Sequence, residues 1–325
     1  MKERIPPIAR SAANEGPGTL EVPGPSTRLD SNVGLLALLK GATVRWLDRW
    51  ASTLVGAPAV VYMILGCLLP LGLIVAFSLN APHFNVANYR DLTSSGLYLP
   101  LLWNTLWISS VVTVVAVLLG YPYAYIMARA RGKVALVLGA AVAFPFLTST
   151  VVRSFTWELI LNPQGIVTDL FHLVGISTVP TLLGTPAGVI IGLSQVELPF
   201  VVFPIYAALT AVHRDYDSAA SSLGAGPSKA FLFVTLPLSM TGVAAGALLA
   251  FVYALGAYIT PQLLGGPSST MLGQGIATEV QTSLSWGVAS TMGVVLLLAT
   301  AVTFLAASLL GGRRVLGFGH SDSRP

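Results

Sequence analysis

Four side chains are placed to meet a cationic solute. Glu197 is a carboxylate inside an apolar run of spanning length, where a charge is costly and ordinarily faces a cavity or a partner. Trp157, Tyr258 and Trp286 lie near the ends of apolar runs on one side, and aromatic faces attract ammonium groups. With Glu158, Asp169 and Glu279 on that side, a cationic amine suits the lining. Each feature also has a plainer reading: the aromatics belong to an interfacial belt, the acids follow the charge bias of the loops, and Glu197 pairs with Arg153 or hydrogen-bonds internally. Bond-making chemistry is not indicated. His83, His172, His213 and His320 are scattered through loops and tail, and neither a Ser/His/Asp set nor a metal-ligand spacing appears. The chain has no G-x-x-x-x-G-K-[ST] phosphate loop, so any ATP hydrolysis belongs to another polypeptide. The single cysteine, Cys67, sits in an apolar run as a small core or lipid-facing residue and has no intrachain partner.

Asp215 to Pro237, DYDSAASSLGAGPSKAFLFVTLP, is a polar interruption between two apolar runs, suited to an ordinary helical connector or to a surface that meets a partner. Ala219 and Ala220 favour helix at no side-chain entropy cost and keep one face small enough to press into a groove on a partner. Asp215 or Asp217 caps the start, where negative charge is favourable. Gly224 and Gly226 are expected to adopt left-handed backbone and end the helix. Pro227 begins a second helical turn, Phe231 and Phe233 anchor it against the spans, and Pro237 is tolerated where the next span begins.

The elements that hold these residues are read from composition and charge. Charged residues are 9% of the chain and apolar ones 54%, whereas soluble domains carry roughly 25% charge. The chain is therefore solvated largely by lipid. Residues 1–32, rich in Pro, Gly and Ser, read as a disordered tail without a secretory signal. Residues 33–50 alternate Lys40, Arg45 and Arg49 with Trp46 and Trp50, as suits an amphipathic helix in the interface or a simple basic flank. Six transmembrane helices are predicted at 55–79, 102–127, 134–153, 187–210, 238–258 and 288–311, followed by a tail at 312–325. The segment 154–186 reads as two short helices around the Asn162-Pro163-Gln164-Gly165 turn, and Thr260–Pro267 as an irregular external loop. Arg45, Arg49, Arg129, Arg131, Lys133, Arg214, Lys229, Arg313 and Arg314 all fall on one side of the spans. By the positive-inside rule that side is cytoplasmic, and it carries both termini and the 215–237 loop. The same rule explains the net charge of +4 without nucleic acid.

Ser218-Ala219-Ala220, then Gly224, then Val234-Thr235-Leu236-Pro237 resembles the EAA loop of ABC-importer permeases, with Ser218 in the place of that family's Glu. Tyr121–Arg129, Phe144-Pro145-Phe146 with Arg153 and Trp157, Leu198-Pro199-Phe200 and Gly256–Pro261 with Leu264-Gly265-Gly266 look like the spermidine/putrescine permease type. The resemblance covers about residues 55–311 and implies an all-α integral membrane protein with the six-helix, MetI-like type I ABC importer fold. It implies that Asp217, Ser218, Ala219, Ala220, Gly224, Leu236 and Pro237 form the ATPase-coupling loop. It also implies a second homologous permease subunit, two ATPase subunits carrying the ATP and Mg, an external solute-binding protein, and a bacterial inner-membrane location. Polyamine uptake is the expected function. The sequence leaves open the same importer class moving another small solute (aminoethylphosphonate, another amine, iron or an anion), or a secondary transporter.

Overall fold

The structure is a computed structural model. It describes residues 57–80, 83–94, 96, 98–173, 175, 181–213 and 215–315, and of residues 217, 218 and 310–315 the backbone alone. The expected tail at 1–32, the interfacial helix at 33–50 and residues 316–325 lie outside the described residues. Contacts divide the chain into two units, Met1–Leu68 and Leu69–Pro325. The described part of the first is the opening of α1 (Ala57–Ser78), where Cys67 is exposed.

All regular elements among the described residues are helical. They are α2 (Ala87–Ser94), α3 (Tyr98–Arg129), α4 (Lys133–Ala143), α5 (Thr150–Leu161), α6 (Ile166–Leu173), α7 (Pro186–Ala211), α8 (Asp215–Ser222), α9 (Pro227–Ala230), α10 (Leu236–Leu255), α11 (Ile259–Leu264), α12 (Leu272–Gln281) and α13 (Trp286–Val315). Five helices are long and apolar enough to cross a membrane, and α4 with α5–α6 adds a sixth crossing if that bent pair counts as one span.

The second unit is built on α3, α7 and α10. Lipid supplies no hydrophobic drive between helices, so close approach of backbones and polar bridges must hold them. Gly242 lies against Pro204 and Ile205, and Gly246 against the Val201 backbone, so α10 packs onto α7 with no room for a side chain at either point. Tyr121 Oη and Ser239 Oγ share a hydrogen bond of 2.9 Å between α3 and α10. Ala116, Ala124, Val201, Val202, Ile205 and Ala250 fill the space between the three helices.

Four expectations are corrected here. The third span does not run as one helix to residue 153: α4 passes into a 3-10 turn, Phe144–Leu147, and the chain then bends by 100° into α5. Pro145 removes a backbone donor, and Thr148 is extended with φ −101° and ψ 141°. Lys133–Leu147 reaches only about 22 Å, short of the roughly 30 Å hydrocarbon core. The fifth span begins eleven residues earlier than residue 238, because helix is continuous from Pro227 to Leu255. The segment after it is not an irregular loop. It folds as α11, a 3-10 turn at Pro267–Ser269, and α12, a helix that the sequence reading missed along with α2. Finally, α13 continues to Val315, past the expected end at 311.

Candidate functional site

Two places carry the residues singled out by sequence. The first is the α8–α10 segment. Its α8 ends in paired bonds, Ala225 N–H to Ala220 O (3.0 Å) and Gly224 N–H to Ser221 O (3.0 Å). This closure needs left-handed backbone at the residue after the cap, and Gly224 supplies it with φ 85°. Gly226 does not share that role. Its φ of −68° and ψ of 164° are extended backbone leading into Pro227, the first residue of α9. The side chains of Ser218 and of Asp217, one of the two expected caps, lie outside the described residues, and Asp215, the other, is exposed as the first residue of α8. Ala219 is exposed and Ala220 half-buried, while Leu223 is 90% exposed and Tyr216 54%.

Between α9 and α10 lies a π-helical turn, Phe231–Thr235, in which the Leu236 N–H reaches back to Phe231 O. Its cause is local. Pro237 offers no N–H, and its ring would crowd the carbonyl four residues back, that of Phe233, so the helix widens ahead of it. The Phe231 ring meets Tyr121 and Tyr125 edge-on, with centroids 5.8 and 5.3 Å away. Phe233, expected to anchor alongside, is 77% exposed and does not. The Arg129 guanidinium lies 5.0 Å over the Tyr125 ring. A cavity of about 250 Å³ opens there, lined by Tyr125, Arg129, Thr210, His213 and Thr235 among others.

The second place is a cavity of about 430 Å³ whose lining includes Thr150, Leu193, Val196, Tyr253, Tyr258 and Thr260. Beside it the aromatic rings of three elements stack in series. Phe146 meets Phe200 edge-on at 5.2 Å, and Phe200 lies against Tyr253 at 4.9 Å and 31°. Of the four residues expected to meet cargo, Tyr258 lines this cavity. Trp157 is half-buried against the core cluster that includes Ile108, Leu193 and Leu264, with its Nε1–H directed at Gln195 Oε1 at 3.5 Å. Trp286 opens α13 and is 57% exposed, away from the cavity lining. Glu197 is fully buried on α7, and neither carboxyl oxygen has a hydrogen-bond partner among the described residues. It lines neither cavity, and the suggested Arg153 pairing is not made. Thr150, Tyr253 and Thr260 were missed. They come from three different elements, and the one sequence signal was a polar or aromatic residue next to a helix break.

Among the described residues no three His, Cys, Asp or Glu side chains gather to hold a metal. Residues 120–315 match the family described as binding-protein-dependent transport system inner membrane component. The chain is similar to the spermidine/putrescine transport system permease protein PotB of Haemophilus influenzae, 33% identical over 234 residues that cover 71% of this chain and 82% of the relative. Its counterpart in Escherichia coli is 30% identical over 204 residues, covering 62% and 74%. The fold is shared with a chain of the bacterial alginate ABC transporter solved in complex with an alginate pentasaccharide-bound periplasmic protein. There the TM-score is 0.67 and the identity 18%, over 86% of this chain and 98% of that one.

Proposed function

We propose, from the premise that this chain belongs to the binding-protein-dependent transport system inner membrane component family, that it is the permease subunit through which an ATP-driven importer takes up a di- or polyamine. The observation that carries the cargo is the 33% identity to a spermidine/putrescine permease across 71% of the chain. The chemistry agrees with it: an ammonium group is attracted to aromatic faces, and Tyr253 and Tyr258 line the cavity of about 430 Å³. Glu197, buried next to the lining residue Val196, is the carboxylate nearest in sequence to that wall.

In this reading α8 and its Gly224 closure are the surface on which an ATPase subunit seats. Leu223 and Tyr216 are the apolar contacts left open for it. The positive-inside asymmetry supports a cytoplasmic position for this segment and for both termini. A second, similar permease completes the pathway, two ATPase subunits bind ATP and Mg, and a binding protein delivers the amine on the other side. The cargo rides between two arrangements of the spans, selected by nucleotide on the partner.

The test is reconstitution of the full importer with its partner subunits in vesicles, measuring ATP-dependent uptake of spermidine and putrescine beside aminoethylphosphonate, ferric iron and an oxyanion. Saturable uptake of the amines alone is expected, and Glu197→Gln is expected to lower it while the complex still assembles. Uptake of one of the other solutes without the amines overturns the cargo. Uptake driven by an ion gradient without ATP overturns the importer mechanism.

A further inference from the structure

The segment from α11 to α12 packs against α7 and α3, and broken backbone beside membrane spans survives only when its polar groups are met from within the protein. Within the segment Gly266 N–H is met by Ser269 Oγ and Met271 N–H by Gln274 Oε1, and most of the partners drawn from outside it come from α3. Asn104 Nδ2 donates to two carbonyls of the segment, Ser268 O at 3.2 Å and Thr270 O at 3.1 Å. The amide is turned that way because its Oδ1 accepts from Trp107 Nε1 at 3.4 Å. One residue on, Thr105 is fully buried. Its Oγ1 accepts the Leu272 N–H at 2.7 Å while its own hydroxyl hydrogen goes to Leu101 O at 2.7 Å. Thus adjacent residues of one helix satisfy the break between the 3-10 turn and α12. On the other side Thr260 is tied to Ser154 of α5 at 2.9 Å, and Gly184 N–H donates to Leu264 O at 2.9 Å.

Two further facts give this clasp a mechanical meaning. The opening of the same segment, Tyr258, Ile259 and Thr260, walls the cavity of about 430 Å³. Farther along α3, about 24 and about 30 Å along its axis from Thr105, stand the Tyr121 and Tyr125 rings that hold Phe231, just after the α8 loop. One continuous helix therefore holds, at one end, the segment whose opening forms the cavity wall and, at the other, the driven segment.

We propose that Asn104 and Thr105 are positioning residues that latch the α11–α12 segment to α3, making that segment a gate moved by the span next to the coupling loop. The inference rests on the importer reading above. Movement of α3 carries the wall of the cavity with it as long as the latch holds. Without the latch, α3 moves and the wall does not follow, so ATP is spent without cargo crossing.

The experiment uses the full reconstituted importer with Asn104→Leu, Thr105→Val and Thr105→Ser. The first two are expected to assemble and to retain or raise basal ATPase activity, while cargo moved per ATP falls about tenfold, the scale set by leaving backbone carbonyls (Asn104→Leu) or a buried N–H (Thr105→Val) without a partner. Thr105→Ser keeps the acceptor for Leu272 and is expected to restore the ratio. In a Cys67→Ser background, labelling of Ser268→Cys by a membrane-impermeant thiol reagent is expected to depend on nucleotide, and to lose that dependence when Asn104→Leu is added. Wild-type cargo per ATP and nucleotide-dependent labelling in Asn104→Leu overturn the latch, as does a Thr105→Ser as impaired as Thr105→Val. Should Thr105→Val fail to assemble, the half-buried Asn104 position carries the decision alone. A wild-type complex that shows no ATP-driven uptake overturns the importer reading instead, so the two failures are told apart.

Discussion

Two interruptions of the apolar spans, residues 215–237 and 256–281, look alike in sequence and are opposites in the folded chain. Both are short, rich in small residues, and contain glycine and proline. In the first, the polar backbone is satisfied locally: Gly224 and Ala225 donate to carbonyls three and five residues back, and Leu223 stands 90% exposed. In the second, Leu264 is fully buried and local bonds do not suffice: Ser268 O, Thr270 O and Leu272 N–H are met from afar, Thr270 by Asn104 at 166 residues' separation. A segment that completes its own hydrogen bonds is free to move as a unit against a partner. A segment completed by another helix moves with that helix.

Glycine substitutions sharpen this contrast. The largest effect is expected at Gly266, where an added Cβ would collide with the Gly184 backbone carbonyl. Gly266→Ala should cost about 3 kcal/mol or more, since neither backbone can yield in a packed site. The yield of monodisperse protein in detergent and its thermal unfolding read this directly, and an unchanged unfolding temperature would break the picture of a tightly held segment. Gly224 differs: nothing lies within 4 Å of its would-be Cβ, and the demand comes from its φ of 85° alone. Gly224→Val should cost roughly 1–2 kcal/mol or somewhat more in local backbone energy. The protein should remain stable while ATP-coupled uptake falls, and Gly224→Asn, whose side chain tolerates this backbone, should recover much of it. Normal coupled uptake by the valine variant would deny the α8 ending its role. The smallest effect is at Gly226, extended at φ −68° with open space around it. Gly226→Ala is expected to stay within about 0.5 kcal/mol and to leave uptake unchanged. A marked loss there would show that a docked partner, absent from the free chain, presses against the position.

The α8 ending was legible because its cause is local. A glycine four residues after an alanine pair predicts a left-handed helix end, and Gly224 has one. The same rule applied to Gly226 failed because Pro227, immediately after it, draws the preceding residue into extended backbone. The broken third span had a local signal too, Phe144-Pro145-Phe146, but hydropathy averaged over a window passes smoothly across it. Glu197 shows the reverse limit. Its type and place in α7 were plain, yet a carboxylate turned toward a cavity and one packed between helices have the same sequence, and the structure buries it fully, next to the wall residue Val196 but off the lining itself. Trp157, Tyr258 and Trp286 likewise shared a side of the spans by count, while only Tyr258 lines the cavity.

What the sequence determined by itself was everything that depends on neighbours along the chain: the number of apolar runs, the side on which their basic flanks gather, and the helix, glycine and Leu-Pro order of the 215–237 loop. Bilayer thickness and backbone sterics act over a few residues to a few tens, so composition and spacing suffice. Tertiary structure set the 100° angle of the turn into α5, whose place Pro145 marks, and alone decided the aromatic series from Phe146 to Tyr253 and the clasp of Asn104 and Thr105 on the α11–α12 segment. In each of the last two, groups far apart in sequence are drawn together because a buried N–H, carbonyl or ring must find its partner inside the protein. Spacing along the chain does not record which distant helix will provide it.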